Sequence, residues 1–457
     1  MPMSKKAVSL TNEVSVIHHG GKASVTGSCH ELSVKGNSLL IDCGLFQGSD
    51  VKQGSLDIEF TISHIRALVL THAHIDHIGR LPWLVAAGFR EPIYCTQATA
   101  HLVPLMLEDG LKFQAGLTQS QRTHIVQWIA RKLRPVKYNE WVPIKSAQQG
   151  YFTHIRFQPA GHILGSAYVE IMLPNKEVVV FSGDLGPSHT PLLPDPKPPK
   201  RADYLFLEST YGDKHHENVE TRSKRLLEVI QRSLSDGGVI LIPAFSVGRT
   251  QELLFDIESL LSQHQLSERL PIIVDSPLAA KVTNAYRRYR KLWNREAKAK
   301  VLRGQRPLSF DQCIVVESHR EHTRLVNRLA TSGEPAIVIA ASGMCQGGRI
   351  VDYLKALLPD ERTDVVFCGY QAGGTLGREI QSGCASVTIE GRQVDVSAKI
   401  HSMSGYSAHA DQQDLLKFVA GCQDTLKQVH LIHGEASSQC TLTRKCNELK
   451  NAKLVIE

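Results

Sequence analysis

A cluster of four metal-binding side chains within six positions constrains the fold of this chain more than any other feature of its sequence. The cluster, His72-Ala73-His74-Ile75-Asp76-His77, directly follows the apolar run Ala67–Thr71. Because side chains alternate in direction at a strand end, the first two ligand residues can share one ion, while the last two face a second. Imidazoles and carboxylates at this density are typical of Zn²⁺ sites. We interpret the cluster as a metal site, with a solvated histidine-rich loop as the alternative.

Other residues of metal-binding type follow apolar runs elsewhere in the chain. The carboxyl ends of neighbouring strands meet at one edge of a sheet, so these residues can converge with the histidine-rich cluster. Any one of them alone is more often a turn residue, but together with the cluster they indicate a shared site. They are Asp42, His162, Asp184, Glu208 and His433.

The order of these residues resembles the metallo-β-lactamase superfamily. Four ordered motifs of that superfamily are similar to Asp42, His72–His77, His162 and Asp184. Three later segments resemble the extra motifs of its β-CASP group: Glu208–Gly212, Ser407–Asp411 and Leu431–Glu435. This group contains RNA-processing nucleases, such as the polyadenylation-site cleavage endonuclease and its bacterial homologues. The match runs in order over nearly the whole chain.

The resemblance implies a centre of two zinc ions per chain. One ion would be held by His72, His74 and His162, and the other by Asp76, His77 and His433. Asp184 would bridge the two ions. Asp42 would lie behind the ligands and accept a hydrogen bond that fixes a ligand imidazole. No ligand position departs from the pattern, which argues against an inactive member.

The same resemblance implies hydrolysis of phosphodiesters. Two zinc ions can share a water and lower its pKa toward 7, which gives hydroxide at neutral pH. His409 is the candidate general acid for the leaving 3′-oxygen, with Glu208 held against its other nitrogen to favour the imidazolium. A purely structural histidine is the alternative. With Asp76 and Asp184 these residues form the expected catalytic set, and the products would carry a 5′-phosphate and a 3′-hydroxyl.

Three glycine-rich turns each follow a strand-like run and end in an arginine: Ala244–Arg249, Ser342–Arg349 and Gly369–Arg378. Each can present backbone N–H groups to a phosphate at a helix N-terminus. Close-packed glycines in ordinary strand-to-helix turns are the alternative, and none of the turns fits the P-loop pattern. The substrate-binding residues we expect are Ser246, Arg249, Ser342, Gly343, Thr375, Arg378 and Ser407.

The segment Lys281–Arg306 holds ten Lys or Arg residues against one Glu. It could be an RNA-facing basic helix, but Val282, Tyr286, Tyr289 and Trp293 fall at helical spacing. We interpret these four as a buried stripe below a solvated basic face, and we assign no site there. The pairs His18-His19 and His215-His216 are expected in polar loops, as non-ligands.

The pattern of apolar runs predicts an α/β protein, and the resemblance implies a metallo-β-lactamase αββα sandwich with an inserted β-CASP domain. Short strand-like runs with few strong helices occupy the first two hundred residues, and the Pro-rich stretch Pro187–Lys200 is expected to be a loop. Strand-like and helical runs then alternate, which favours a doubly wound parallel sheet. We expect residues 1–211 and 395–457 in the sandwich and 212–394 in the insertion.

Composition excludes several classes of protein. With 42% hydrophobic and 21% charged residues, the chain is typical of soluble globular proteins. Its longest apolar runs are too short to cross a bilayer, and no signal sequence is recognisable, so we expect a cytoplasmic protein. Ten cysteines without a Cys-x-x-Cys pair indicate reduced thiols. The net charge of +7 fits a polyanionic partner.

We therefore expect a zinc-dependent ribonuclease acting on single-stranded RNA, as an endonuclease, a 5′-exonuclease or both. The alternatives are a DNA nuclease or an ester or thioester hydrolase on the same zinc site, and a non-catalytic RNA-binding scaffold. No KH-type extension precedes the first domain and no extra domain follows His433, so neither the archaeal KH-fused form nor RNase J itself is expected. The sequence leaves a homo-oligomer open.

Overall fold

The structure, a computed structural model, describes residues 7–53, 55–113, 116–147, 150–266, 270–422, 424–449 and 455–456. The chain folds into two compact units. The first contains the residues up to Ser188, Pro194–His215 and the residues from His409 onward; the second contains His189–Leu193 and His216–Ala408. The domain boundaries that the sequence suggests, after residues 211 and 394, stay predictions.

The amino-terminal part of the first unit alternates strands with a few helices. Its strands are β1 (Val8–Thr11), β2 (Val14–Gly20), β3 (Cys29–Val34), β4 (Asn37–Ile41), β5 (Ile65–Val69), β6 (Ile93–Thr96), β7 (Leu133–Val136), β8 (Val142–Lys145), β9 (Tyr151–Pro159), β10 (Ala167–Met172), β11 (Val178–Phe181) and β12 (Tyr204–Glu208). Its helices are α1 (Ile75–Ile78), α2 (Leu81–Ala86), α3 (Gln97–Gly110) and α4 (Gln119–Lys132). Short 3-10 helices span Gly48–Gln53 and Leu111–Phe113.

The second unit alternates strands and helices more regularly. Its helices are α5 (Val219–Asp236), α6 (Arg249–Gln263), α7 (Pro277–Arg288), α8 (Arg295–Leu302), α9 (His319–Ser332), α10 (Ile350–Leu357) and α11 (Leu376–Gln381). Its strands are β13 (Val239–Pro243), β14 (Ile272–Asp275), β15 (Cys313–Val315), β16 (Ala336–Ala340), β17 (Asp364–Phe367), β18 (Ser386–Ile389), β19 (Arg392–Asp395) and β20 (Lys399–Ser402). Short 3-10 helices span Arg290–Leu292 and Ser404–Tyr406.

The carboxyl-terminal part returns to the first unit. It contains α12 (Gln412–Ala420), β21 (Gln428–Ile432), α13 (Ala436–Asn447) and β22 (Val455–Ile456). The sequence also predicts a strand at 453–456: β22 covers the last two of these positions, whereas residues 453 and 454 lie outside the described residues.

Two seven-stranded sheets form the first unit, in the orders β1-β2-β3-β4-β5-β6-β7 and β22-β21-β12-β11-β10-β9-β8. In each sheet one half is antiparallel and the other half is parallel. The parallel strands β11 and β12 are buried along their whole length, as is expected where helices cover one face and a second sheet covers the other.

The apolar core of the first unit lies between the two sheets and beneath the helices. Leu32 of β3 and Phe181 of β11 belong to the cluster between the sheets. A separate cluster joins Leu207 of β12 to Phe418 of α12 and Leu442 of α13. On the other side α3 packs against β6 and β7. The layers therefore run helix, sheet, sheet, helix, and the predicted αββα sandwich is confirmed.

The second unit is built around a six-stranded sheet in the order β15-β14-β16-β13-β17-β20, and every neighbouring pair is parallel. Val338 of β16, Val326 of α9 and Leu354 of α10 share its core cluster. A separate antiparallel hairpin pairs β18 with β19. The predicted parallel sheet of an α/β insertion is confirmed.

Two expectations for the first unit were wrong. The region expected to hold few strong helices contains α3 and α4, each 14 residues long. Pro104 inside α3 and the polar composition of α4 weaken the helical pattern, although Thr118 and Gln121 form a capping box that marks where α4 starts. The pair His18-His19 lies on β2 and is buried, not in a polar loop.

The basic segment also differs from expectation, because it is not one helix. It comprises most of α7, the 3-10 helix Arg290–Leu292 and α8. Three of the four residues of the predicted stripe are buried, but Tyr289 at the break is only partly buried.

The structure also describes the cysteines and the Pro-rich stretch. All ten cysteines are free thiols, and seven of them are buried. Pro187–Lys200 contains neither helix nor strand. Among the described residues, no helix combines the length and the apolar character that crossing a membrane requires.

Candidate metal centre

The residues expected to bind metal lie after strands in the first unit. Asp42 directly follows β4, His433 directly follows β21, and Asp184 lies three positions beyond β11. These strands belong to the parallel halves of the two sheets, so their carboxyl ends meet at one edge of the sandwich. The structure brings all seven expected ligands together there, within overlapping groups of donor atoms.

Tight backbone packing fixes the motif helix α1 against the turn after β4. A Cβ atom at Gly44 would lie 1.4 Å from the carbonyl oxygen of Asp76, so only glycine fits this position. Beside it, the N–H of Cys43 donates to the carbonyl of His77 at 2.7 Å. Asp42 itself has a φ of 58°, a left-handed conformation that Asp tolerates better than most residues.

The first group of donors consists of three imidazoles and one carboxylate, whose ligand atoms lie within 4.8 Å of one another: His72, His74, His162 and Asp184. The Nδ1 atom of His74 lies 3.1 Å from His72 Nε2 and 2.9 Å from His162 Nε2. Burial lowers the pKa of His72 and of His74, so both rings are neutral, which is the state that binds metal ions.

The second group contains two carboxylates and two imidazoles: Asp76, His77, Asp184 and His433. Asp184 Oδ1 lies 3.2 Å from His77 Nε2 and 3.5 Å from His433 Nε2. The other oxygen, Oδ2, lies 3.5 Å from the Nε2 atoms of both His72 and His162. One oxygen of Asp184 therefore faces each group.

Asp42 lies behind the second group and binds three donors. Its carboxylate accepts from the N–H of Thr71 at 2.8 Å, from the Thr71 hydroxyl at 2.7 Å and from His77 Nδ1 at 2.7 Å. This leaves His77 Nε2 pointing at the donor group. Sequence reasoning missed Thr71, although it directly precedes the histidine-rich cluster.

Two buried polar atoms show that this arrangement suits a cation. His77 Nε2 and Asp184 Oδ1 lie 3.2 Å apart, and neither makes a well-aligned hydrogen bond with a described residue. Burial lowers the pKa of His77, but the carboxylates of Asp184, Asp42 and Asp76 outweigh it and raise this pKa well above its usual value. Positive charge is thus favoured at Nε2, where a divalent ion would take the place of the proton. The donor set of histidines and carboxylates fits zinc.

The partly exposed His409 and the buried Glu208 form a pair beside the donor groups. His409 Nδ1 lies 3.1 Å from Glu208 Oε2 and 3.9 Å from Asp184 Oδ2. Two further donors hold the Glu208 carboxylate, the N–H of Leu185 at 2.6 Å and the hydroxyl of Thr210 at 2.7 Å. Burial lowers the pKa of His409, but the charge and hydrogen bond of Glu208 outweigh it and raise the pKa to about 9.

The expected substrate-binding residues all lie in the second unit, which brings their three glycine-rich turns together. A Cβ at Gly343 would lie 2.9 Å from the ring of Phe245, so the first and second turns touch. The Gln371 amide donates to the Gly343 carbonyl at 2.8 Å, which joins the second turn to the third. Their roles in binding stay predictions.

Within these turns the side chains differ in availability. Arg249 is buried and donates to Glu252 at 3.0 Å, so its charge is already compensated. The Ser246 hydroxyl lies 2.9 Å from that of Ser276, and Thr375 caps α11. Arg378, in contrast, is exposed.

Family comparisons agree with the order of these sites along the chain. Residues 26–227 match the metallo-beta-lactamase superfamily, residues 250–380 match the Beta-Casp domain, and residues 393–455 match the Zn-dependent metallo-hydrolase RNA specificity domain. Each match places one sequence region of the chain in a known family.

Individual proteins are similar over most of the chain. Ribonuclease TTHA0252 of Thermus thermophilus is 38% identical over 420 residues, which cover 92% of this chain and 93% of that protein. Transcription termination factor FttA of Methanocaldococcus jannaschii is 30% identical over 434 residues, covering 92% of this chain and 66% of that protein. A crystal structure of a protein of unknown function from Enterococcus faecalis V583 shares the fold at 12% identity, with a TM-score of 0.51 and 97% coverage of both chains.

Proposed function

Because the chain belongs to the β-CASP group of the metallo-β-lactamase superfamily and is a metal-dependent hydrolase, we propose that it is a ribonuclease that hydrolyses single-stranded RNA with two zinc ions. The observation that carries this proposal is the pair of donor groups joined by Asp184, with the His409–Glu208 pair directly beside them. A relative that is 38% identical over nearly its whole length is named a ribonuclease, which supports RNA as the substrate.

Each of the two donor groups would hold one zinc ion. His72, His74 and His162 would hold one zinc ion, Asp76, His77 and His433 would hold the other, and Asp184 would give one oxygen to each. Bound zinc supplies a water of lowered pKa and neutralises charge on the phosphodiester oxygens. Asp42 holds the His77 ring through Nδ1, so that Nε2 is the atom offered to the ion.

A side chain of the protein, His409, supplies the general acid of the proposed reaction. Glu208 binds His409 through Nδ1 and keeps the ring protonated at neutral pH, so Nε2 can donate a proton to the leaving 3′-oxygen. Asp76, whose side chain is 18% exposed, and Asp184 would accept the proton of the attacking water. The products are a 5′-phosphate and a 3′-hydroxyl.

Residues of the second unit bind the strand. The glycine-rich turns carry Ser246, Ser342, Gly343 and Thr375, and the exposed Arg378 can pair with a phosphate. The ten free thiols fit a reducing cytoplasm. These assignments place RNA on the second unit and hydrolysis on the first.

Cleavage of matched RNA and DNA tests this proposal. The protein with bound zinc is incubated with end-labelled single strands of one sequence, with and without a chelator. We expect the RNA to be cut at least tenfold faster, the chelator to abolish cutting, and a phosphatase to shift the mobility of the downstream product. Equal cutting of DNA would favour a DNA nuclease. Binding of RNA without cutting would favour a scaffold, and turnover of thioesters alone would favour a small-molecule hydrolase.

A further inference from the structure

A cavity of about 350 Å³ lies in the second unit, within the basic segment to which the sequence assigned no site. Three arginines line it, Arg287, Arg290 and Arg306. The remaining lining is largely apolar and includes Trp293 and Leu308. The residues that the proposed reaction uses are not among those that line this cavity.

Local chain geometry builds the cavity. Helix α7 ends at Arg288, and the break before α8 brings Arg290 and Trp293 to one wall. At the far end of α8, Gly304 has a φ of 83°, a conformation that favours glycine. The chain turns there, and Arg306 and Leu308, which follow the turn, also line the cavity.

The arginines of the cavity carry uncompensated charge. None of the three forms an ion pair or a side-chain hydrogen bond with a described residue, and no carboxylate of the described residues lines the cavity. Two buried arginines of this unit are paired, in contrast: Arg222 lies 3.1 Å from Asp256, and Arg249 lies 3.0 Å from Glu252. Three unpaired guanidinium groups around one concave surface are suited to a phosphate, which they can bind through charge-assisted hydrogen bonds.

The apolar wall indicates more than a bare phosphate. Trp293 is only 4% exposed and Leu308 only 5%, so neighbouring residues hold both side chains in place and each exposes a small apolar area to the cavity. The indole Nε1–H of Trp293 is buried and has no acceptor among the described residues. An unsatisfied buried donor is costly, which points to a ligand that supplies an acceptor or shifts the ring. Aromatic and aliphatic walls of this kind contact a nucleobase or a ribose.

We propose that this cavity is a nucleotide-binding site. The phosphate pairs with Arg287, Arg290 and Arg306, and the base or ribose packs on Trp293 and Leu308. The nucleotide is either a free mononucleotide or one residue of an RNA strand. Only the second case rests on the proposed ribonuclease function.

Binding of adenosine monophosphate is the direct test. The chain has four tryptophans, and each gives one indole N–H signal in a proton–nitrogen NMR spectrum of the protein with bound zinc. Trp293→Phe identifies the signal of Trp293 by its loss. We expect that signal to shift on titration with adenosine monophosphate while the other three do not, and inorganic phosphate to shift it only at higher concentration.

Matched arginine variants test whether the arginines of the cavity bind the phosphate. Arg287→Ala and Arg306→Ala should each weaken binding of adenosine monophosphate about tenfold or more, because each removes a charged hydrogen-bond donor. Arg288→Ala and Arg303→Ala are the controls, since both arginines are exposed neighbours outside the cavity lining. The controls should bind within twofold of wild type, and equal thermal melts establish that all four variants fold.

A parallel measurement separates the two sources of the nucleotide. If the Arg287→Ala, Arg306→Ala double variant raises KM for RNA without changing kcat, the site holds part of the strand. If KM is unchanged while adenosine monophosphate binding is lost, the ligand is a free nucleotide. No shift of the Trp293 signal at millimolar nucleotide, or equal effects of the lining and control arginines, would overturn the proposal. Absence of RNA cleavage in wild type would not affect the nucleotide titration.

Discussion

At the scale of single residues, surroundings decide which histidines of this site are neutral and which is charged. Burial without a dedicated carboxylate keeps His72 neutral. His409 is also largely enclosed, with 19% of its side chain exposed, but the carboxylate of Glu208 raises its pKa to about 9. The sequence could place both histidines at the site from the order of the motifs. It could not show which nitrogen each ring offers, because that depends on partners such as Thr71 and Asp42, which meet only in the fold.

Replacing His409 by alanine should separate acid catalysis from metal binding. We expect His409→Ala to keep wild-type zinc content but to lose roughly 10²- to 10⁴-fold in kcat, the usual contribution of a general acid. His64→Ala is the matched control, because His64 also binds a buried carboxylate, that of Glu31 at 2.6 Å, but belongs to neither donor group. It should leave kcat unchanged.

A modified substrate makes this test specific for proton donation. An RNA with sulfur in place of the leaving 3′-oxygen needs little protonation, so His409→Ala should lose far less activity on it than on ordinary RNA. An equal loss on both substrates would mean that His409 has a structural role only.

At the scale of elements, the apolar runs ending in ligand residues predicted the strands of the site, because a buried parallel strand appears in sequence as a continuous apolar run. β11 and β12 are examples. The same reasoning did not predict helix α4, because only Ile129 of this helix is fully buried and its polar composition resembles that of a loop. The position of His18 and His19 on a buried strand was also not predicted. A buried polar pair on a strand is recognisable only from its partners, such as Glu31 on the adjacent strand β3.

Glu31 provides a stability test within the first sheet. Burial raises the pKa of its carboxyl, but hydrogen bonds from His19, His64 and Ser38 outweigh this effect and lower it to about 2. A carboxylate with a depressed pKa stabilises the fold above its unfolded value of about 4.3, and this contribution is lost as pH falls toward 2. We therefore expect urea midpoints of wild type to fall more steeply between about pH 5 and pH 2 than those of Glu31→Gln.

Glu13, an exposed residue in the turn between β1 and β2, provides the matched control for Glu31. Its side chain is 61% exposed and, within the described part of the chain, pairs with Lys35 alone, so Glu13→Gln should reproduce the wild-type pH dependence. If Glu31→Gln also follows the wild-type curve, the three hydrogen bonds do not hold the carboxylate in its charged state.

At the scale of the whole molecule, the metal centre is assembled from distant parts of one chain. Asp42 comes from the first sheet, whereas His433 follows β21 in the second, after the chain has completed the second unit. The sequence predicted this architecture because the motifs occur in family order. It could not reveal the arginine-lined cavity, since Arg287 and Arg306 are nearly twenty residues apart in sequence and line one cavity only in the folded chain.

The most direct test of the account is the zinc content of the purified protein, measured by plasma mass spectrometry for wild type and Asp184→Asn. Because one oxygen of Asp184 faces each donor group, the account predicts two zinc ions per chain in wild type and one or fewer in the variant. Wild-type protein that takes up no zinc, or an Asp184→Asn variant that still holds two ions, would contradict it.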